Sequence, residues 1–163
     1  MASFDPAFSP ATTNEVFFET DDAALPPLEI IASSISSDAI GNIYTTGYFA
    51  GTVDFDPGNG ITTLDPTGAD IFVHKMDSSG NFIWARSFGG IGEDRGLSLK
   101  VDDLGNVYTT GAFNGTADFD PSTGTANLTS NGFQDAFVSK LNANGDFVWV
   151  KQMGGSINWF QFW

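Results

Sequence analysis

The sequence contains no cysteine and few basic residues, and both absences exclude whole classes of protein. Its 163 residues include 6 Lys and Arg against 20 Asp and Glu, which gives a formal net charge of −14 at pH 7. Without cysteine the chain cannot form disulfides, thiolate zinc sites or a cysteine nucleophile. An acidic chain repels nucleic-acid phosphates and anionic membrane surfaces, so we expect no nucleic-acid partner.

Long apolar runs and a signal peptide are also missing from the sequence. No apolar stretch approaches the roughly 18 residues of a membrane span, so we expect no membrane insertion. Residues 1–6 have neither the basic nor the apolar region of a signal peptide. If the protein is exported, we expect its targeting signal to lie outside this chain.

Glycine and aromatic residues are abundant instead. The sequence has 19 Gly, 16 Phe, 4 Trp and 3 Tyr, whereas only 16% of its residues are charged. The large apolar side chains argue against intrinsic disorder. Many turn-forming residues and few charged ones favour short strands over helices.

A long internal repeat organises the chain. Residues 41–57 read GNIYTTGYFAGTVDFDP and residues 105–121, 64 positions later, read GNVYTTGAFNGTADFDP, with 13 of 17 positions identical. The match continues from DIFVHK at 70–75 to DAFVSK at 135–140. We predict two tandem repeats, at 31–90 and 91–155. Residues 1–30 are an acidic segment that resembles a decayed half-repeat, and residues 156–163 are an aromatic tail.

Each repeat contains two copies of a short turn pattern. Asp38, Asp77, Asp102 and Asn142 are each followed three residues later by Gly. Asp and Asn cap the amides of such a turn, and Gly adopts the positive φ that ends it. The pattern predicts hairpins, with strands near 31–37, 42–49, 70–76 and 82–88, and then near 96–102, 106–113, 135–142 and 147–153.

Four strands in about 64 residues, with one long inner loop, match the size of a propeller blade. Apolar residues on both strand faces support stacked blades: Phe82, Trp84 and Phe88 share one face of their strand, and Ile83 and Ala85 share the other. The sequence therefore predicts an all-β fold of about two to two and a half β-propeller-type blades in tandem. A β-solenoid and a β-sandwich are the alternatives.

The repeat resembles a known family. Its motifs GN[IV]YTTG, F-x-GT-x-DFDP, D-x-FV-x-K and a closing Gly-Gly are similar to the bacterial β-propeller repeat of the SBBP type, over about residues 31–155. The resemblance implies a propeller of similar blades in a secreted or cell-surface protein, and no particular reaction. Two repeats cannot close a ring of four to eight blades. The expected partners are therefore other blades, from a longer parent chain or from further copies of this one.

The sharpest polar motif is the pair of carboxylates in each DFDP segment. Asp54 and Asp56 in the first repeat, and Asp118 and Asp120 in the second, would share a face of an extended strand. Paired carboxylates beside a Gly-rich turn supply the oxygen ligands that calcium prefers, so these four residues are candidate calcium ligands. In the alternative, the second Asp of each pair caps the turn and the first is merely exposed.

Other polar residues have simpler interpretations. Glu93, Asp94 and Arg95 could add ligands, but a solvated loop with a local ion pair explains them. His74 is the only histidine, which gives no basis for a transition-metal site.

Residues that recur at equivalent repeat positions are interpreted as structural. Asp70 and Asp135 stand at strand starts, where a carboxylate commonly binds loop amides. Trp84 and Trp149 are interpreted as anchors of the hydrophobic core in preference to residues that stack on sugars.

The sequence shows no unrepeated catalytic cluster, so we predict no catalytic residues and no enzyme activity. The leading hypothesis is an extracellular or cell-surface scaffold or adhesion module with a protein or carbohydrate ligand. The alternative is a self-assembling structural protein that pairs open blade edges between chains. A carbohydrate-active hydrolase or lyase is the third hypothesis.

Overall fold

The computed structural model describes residues 29–156, which form an all-β chain. In the first repeat the strands are β1 (Glu29–Ser37), β2 (Ile43–Ala50), β3 (Val53–Asp54), β4 (Thr63–Leu64), β5 (Ala69–Met76) and β6 (Phe82–Gly90). In the second they are β7 (Arg95–Val101), β8 (Val107–Phe113), β9 (Thr116–Asp118), β10 (Asn127–Thr129), β11 (Asp135–Leu141) and β12 (Phe147–Met153). The predicted half-repeat at 1–30 and tail at 156–163 fall almost entirely outside the described residues.

The long strands form two four-stranded antiparallel blades. Blade 1 has the order β1-β2-β5-β6, and blade 2 has the matching order β7-β8-β11-β12. Every predicted strand is present with its ends within two residues of the prediction. The predicted all-β fold with tandem blades is confirmed. Within residues 29–156 no helix capable of crossing a membrane is found.

The predicted turns connect the long strands as hairpins. Asp38 accepts hydrogen bonds at Oδ1 from the backbone N–H groups of Ile40 and Asn42. Asp77, Asp102 and Asn142 make the equivalent bonds. The glycines that close the four turns have φ between 78° and 86°, the left-handed region that favours glycine (Gly41, Gly80, Gly105 and Gly145). Local chemistry alone therefore fixes the ends of these hairpins.

The long inner loop of each repeat holds a second, shorter hairpin that the sequence did not predict. β3 pairs with β4 in blade 1, and β9 pairs with β10 in blade 2. The hairpin of blade 2 also extends to the preceding blade, because β9 pairs with the end of β6. The blades are thus joined by backbone hydrogen bonds as well as by side chains.

The main hydrophobic core lies between the two blades. It combines residues of blade 1 with residues of blade 2 and its hairpin: Tyr44, Ile71, Val73, Trp84 and Phe88 pack against Leu99, Val107, Phe113, Ala117, Phe119, Phe137 and Leu141. A smaller core lies beneath the β3–β4 hairpin and contains Phe49, Phe55, Phe72 and Ala85. The residues of the smaller core hold the same repeat positions in blade 1 that residues of the main core hold in blade 2.

One prediction about strand faces is wrong. A β-bulge shifts the register of β5 and β6, so that Lys75 lies opposite Trp84 while Met76 lies opposite Phe82. The extra residue, Ile83, reverses the alternation at this point. Phe82 therefore packs on the smaller core and not on the face of Trp84.

Candidate functional site: the junction between the blades

The carboxylates predicted to bind calcium organise the turns of their own hairpins. Asp54 Oδ1 accepts hydrogen bonds from the N–H groups of Asp56 and Thr62, at 3.0 and 2.9 Å. Asp56 Oδ1 accepts one from Gly58 N–H at 2.8 Å. The backbone donors from Thr62 and Asp56 lower the pKa of Asp54, which keeps it ionised.

The second repeat shows the same arrangement. Asp118 Oδ1 accepts hydrogen bonds from Asp120 N–H at 3.0 Å and from Ala126 N–H at 2.8 Å. Asp120 Oδ1 accepts one from Ser122 N–H at 2.9 Å. The second Asp of each pair does cap its turn, and the first Asp is more than merely exposed, because it bridges the two sides of the hairpin.

Calcium binding by these residues stays a prediction. Two ionisable carboxylates in each hairpin are the right donor type for a hard cation, which takes six to eight oxygen ligands. Among residues 29–156, no group of three or more His, Asp or Glu side chains is placed to hold a metal ion. Any site would therefore need backbone or water oxygens for most of its ligands.

Three side chains of blade 1 bind the β11–β12 turn of blade 2. Lys75 Nζ and Trp84 Nε1 both donate to the carbonyl oxygen of Ala143, at 3.4 and 3.2 Å. Arg86 Nε donates to the carbonyl oxygen of Gly145 at 3.2 Å. Trp84 is buried, as expected for a core anchor. These contacts fix the outer part of one blade against a turn of the next.

Two glycines at the end of β6 allow the hairpin of blade 2 to approach. Gly89 lies opposite Asp118, and Gly90 lies opposite Ala117. A Cβ atom on Gly90 would lie 2.1 Å from the carbonyl oxygen of Thr116. Only glycine leaves room for this backbone contact.

A pair of acidic side chains is buried beside these glycines. Asp94 is fully buried and accepts hydrogen bonds from Gly90 N–H at 2.7 Å and from Asn114 N–H at 3.0 Å. Asp70 is also buried, and no donor among the described residues reaches its Oδ1. Burial, together with the nearby Asp94 carboxylate, raises the pKa of Asp70 to about 6. Burial also raises the pKa of Asp94.

The predicted loop at 93–95 is only partly as expected. Arg95 and Glu93 form an exposed ion pair at 2.8 Å, which confirms the local pair. The prediction that Asp94 is solvated is wrong, because its two carboxylate oxygens bind backbone amides of different segments inside the junction.

His74 lies within β5 and is buried between Phe55 and Phe82. Its ring stacks on Phe82, with centroids 5.7 Å apart. Burial is the largest cause that lowers its pKa, so the imidazole is neutral at pH 7. Its surroundings are those of a core residue.

A small cavity opens where the turns of the two blades meet. It has a volume of about 200 Å³ and is lined by residues that include Ile40, Tyr44, Lys75, Leu104 and Ala143. Pockets for drug-sized ligands typically measure roughly 300–1,000 Å³. This cavity suits a small group or a side chain rather than an extended ligand.

Comparison with known proteins finds similarity between parts of this chain and parts of two much longer proteins. No family model matches the chain. The regulatory protein FlaEY of Caulobacter vibrioides is 33% identical over 87 residues, which are 53% of this chain and 9% of that protein. An uncharacterised WD repeat-containing protein of Acanthamoeba polyphaga mimivirus is 28% identical over 98 residues, 51% of this chain and 7% of that protein. The chain thus spans less than a tenth of either relative.

The glycine pair and Asp94 are the junction residues that sequence reasoning missed. The recurrence of Gly89-Gly90 as Gly154-Gly155 could have indicated a close backbone approach, since neither pair stands in a turn pattern. Nothing in the sequence distinguishes Asp94 from an exposed loop acid.

Proposed function

We propose that this chain is a non-enzymatic β-propeller-type repeat module that acts as a scaffold or adhesion segment outside the cell. The observation that carries the proposal is the junction between the two blades. There the blades share a hydrophobic core, β9 of the blade 2 hairpin pairs with β6, and side chains of blade 1 bind the β11–β12 turn. Most polar groups that could do chemistry recur in both repeats. A single active site needs no second copy, whereas stacked blades need the same contacts repeatedly.

Two further observations support a propeller and its location. The WD repeat in the name of the viral relative is a propeller repeat. The resemblance to the SBBP repeat implies a secreted or cell-surface protein, and the acidic surface suits a protein that avoids nucleic acid and anionic lipid. The ligand classes that we propose are proteins and carbohydrates.

The absence of catalysis can be tested with soluble polysaccharides. Incubation with a panel of them should release no reducing ends above the buffer control. Asp94 is the decisive position, because it is a buried carboxylate with no acidic equivalent in the other repeat, where Ile30 stands. Turnover that disappears in Asp94→Asn would replace the proposal with a hydrolase or lyase.

The proposed location has its own test. Protease added to intact cells that make the protein should degrade it, while a cytoplasmic marker in the same cells survives. A chain that stays intact until the cells are lysed would contradict an extracellular scaffold.

A self-assembling structural protein is the second candidate. It is favoured by large apolar side chains that are exposed at both ends of the described blade pair, among them Ile35 and Met153. Assembly and scaffolding are compatible, because stacked blades are themselves a scaffold.

A further inference from the structure

We infer that a second copy of this chain stacks head-to-tail on the first. Blade 1 of one copy docks on blade 2 of the other, in the same manner as blade 2 docks on blade 1 within a single chain. The inference names a partner for the proposed scaffold and rests on that proposal only in treating the blades as stacking units. The inner junction is the template. Its repeat equivalents are found at the two open ends of the blade pair.

Each blade has two different faces. The C-terminal face is defined in blade 1 by Ile71, Val73, Trp84 and Phe88, which pack toward blade 2. The N-terminal face is defined in blade 2 by Leu99, Ala117 and Phe119, which receive them. Phe88 contacts Phe119 with ring centroids 5.8 Å apart. Within residues 29–156, the N-terminal face of blade 1 and the C-terminal face of blade 2 are therefore left open.

The C-terminal face of blade 2 is apolar and uncovered within the described residues. Met153 stands where blade 1 has Phe88, and it is 55% exposed whereas Phe88 is 4% exposed. Trp149 is only half-buried, although its equivalent Trp84 is buried. The side chains of this face are of the apolar kind that forms the core between the blades, but no layer of described residues packs on them.

The N-terminal face of blade 1 shows the complementary difference. Ile35 is 69% exposed, whereas Leu99, its equivalent in blade 2, is 2% exposed. Val53 of β3 is half-buried where Ala117 of β9 is fully buried. The smaller core beneath this face corresponds to one half of a junction core, and no other blade among the described residues packs on it.

The glycines at the end of the second repeat are ready for a hairpin. Inside the chain, Gly90 admits the Thr116 carbonyl, which would lie 2.1 Å from a Cβ atom there. Gly155 is the equivalent glycine, yet no described atom lies within 4 Å of its Cβ position. The β3–β4 hairpin of another copy fits this gap, with Val53 opposite Gly155 and Asp54 opposite Gly154.

The side chains of blade 1 that bind the turn of blade 2 also have repeat equivalents in blade 2. Lys140, Trp149 and Lys151 are the equivalents of Lys75, Trp84 and Arg86, which donate to the turn of the next blade. In the proposed assembly their acceptors are the carbonyl groups of the turn at residues 77–81. A Cβ on Gly145 would touch the Arg86 and Trp84 side chains at 3.1–3.2 Å, whereas nothing lies within 4 Å of that position on Gly80.

The intermolecular junction differs from the inner one in charge. Ile30 stands where blade 2 has Asp94, so Asp135 faces an apolar side chain instead of a second acid. The net charge of −14 on each copy opposes association at long range. Salt screens this repulsion, so assembly should strengthen as ionic strength rises.

Two matched variants test the surface. Met153→Asp places a charge in the proposed interface, whereas Ile61→Asp adds the same charge at an exposed site whose equivalent, Thr125, is also exposed. In sedimentation velocity, Met153→Asp should raise the concentration for half-assembly by about tenfold or more, and Ile61→Asp by less than about twofold. Circular dichroism and thermal melts establish that both variants fold.

The orientation is tested by crosslinking between separately prepared variants. Because the chain has no cysteine, Lys151→Cys and Ser79→Cys can be joined only by a bis-maleimide reagent or a direct disulfide. Their equivalents are in contact inside the chain, since Arg86 Nη2 lies 3.1 Å from the Asn144 carbonyl oxygen. The mixture should crosslink, and a mixture of Lys151→Cys with Ile61→Cys should not.

Other results would overturn the inference. A chain that is monomeric at every concentration and salt would mean that its own terminal residues, or blades of a longer parent, cover the open faces. Crosslinks of Lys151→Cys to itself would indicate two-fold rather than head-to-tail contact. Neither result bears on polysaccharide turnover or on exposure at the cell surface, so the proposed function is tested separately.

Discussion

Single buried residues at the junction between the blades affect the folding free energy of the chain. Asp70 illustrates this, because it is buried beside Asp94 with one oxygen that no described donor reaches. An ionised carboxylate in this position costs folding free energy that a neutral side chain would not.

Asp70→Asn should therefore stabilise the chain at neutral pH. The folded-state pKa of Asp70 is raised from 3.8 to about 6, so its favourable contribution is complete below pH 3.8 and is lost as pH rises through about 6. At pH 7 the variant should gain on the order of 1–3 kcal/mol in the free energy of unfolding, and at about pH 3, below both the unfolded and the folded pKa, the gain should vanish. Urea denaturation at both pH values measures it. Asp103→Asn, at an exposed carboxylate, is the control, and an equal gain there would contradict this account.

His74 has the opposite pH dependence. Because burial lowers its folded-state pKa below 6.5, its contribution to stability is complete above about pH 6.5 and falls as the pH drops. His74→Phe, which keeps an aromatic ring between Phe55 and Phe82, should reduce the loss of stability between pH 7 and pH 5. An unchanged pH profile in thermal melts would show that His74 does not govern it.

The two glycine pairs are a matched comparison for backbone approach. Gly90→Ala forces a methyl group against the Thr116 carbonyl and should cost about 1–3 kcal/mol in unfolding free energy. Gly155→Ala should leave the stability of the unassembled chain unchanged while it weakens assembly. Denaturation at low protein concentration separates these effects. Equal costs for both substitutions would show that the hairpin contact does not explain the glycine.

At the scale of the strands and hairpins, local and long-range determinants separate clearly. The turns at Asp38 and Asp77 could be predicted, because the hydrogen bonds that cap the turn backbone join residues no more than four apart. The bulge at Ile83 lies within one hairpin, but strict alternation of strand faces carries no signal for an extra residue. The pairing of β9 with β6 could not be predicted, because it joins segments that are distant in the sequence. The same reason accounts for Asp94, whose burial follows from contact with Asn114.

The two equivalent tryptophans test the junction as an element. Trp84→Ala removes a buried ring and its hydrogen bond to Ala143, and it should cost about 3–5 kcal/mol in unfolding free energy. Trp149→Ala should cost the unassembled chain clearly less, because Trp149 is only half-buried. Guanidinium denaturation of the two variants side by side measures the difference. Equal losses would contradict the idea that blade docking stabilises Trp84.

The hairpin carboxylates give the test for calcium. If Asp54, Asp56, Asp118 and Asp120 bind the ion, millimolar calcium should raise the melting temperature, because a ligand of the folded state alone stabilises it. Asp→Asn substitution at the four positions should remove the rise. The absence of any rise, or a rise of the same size in the substituted chain, would leave these residues with only their turn-capping role.

At the scale of the whole molecule, the repeat explains both the buried junction between the blades and the exposed face at each end of the described blade pair. Each blade supplies one face to the next, so a pair satisfies one junction and leaves one face at each end. Propellers close with four to eight blades, which corresponds to roughly two to four copies of a two-blade chain. In the proposed assembly, closure of the ring leaves no blade face exposed.

The mass of the purified chain in solution tests this account most directly. Light scattering after size exclusion, at moderate salt, should give a discrete species of roughly two to four chains, which the Met153→Asp variant converts to smaller species. A single 17.4 kDa species at all concentrations, unaffected by that substitution, would contradict the stacking of blades between copies.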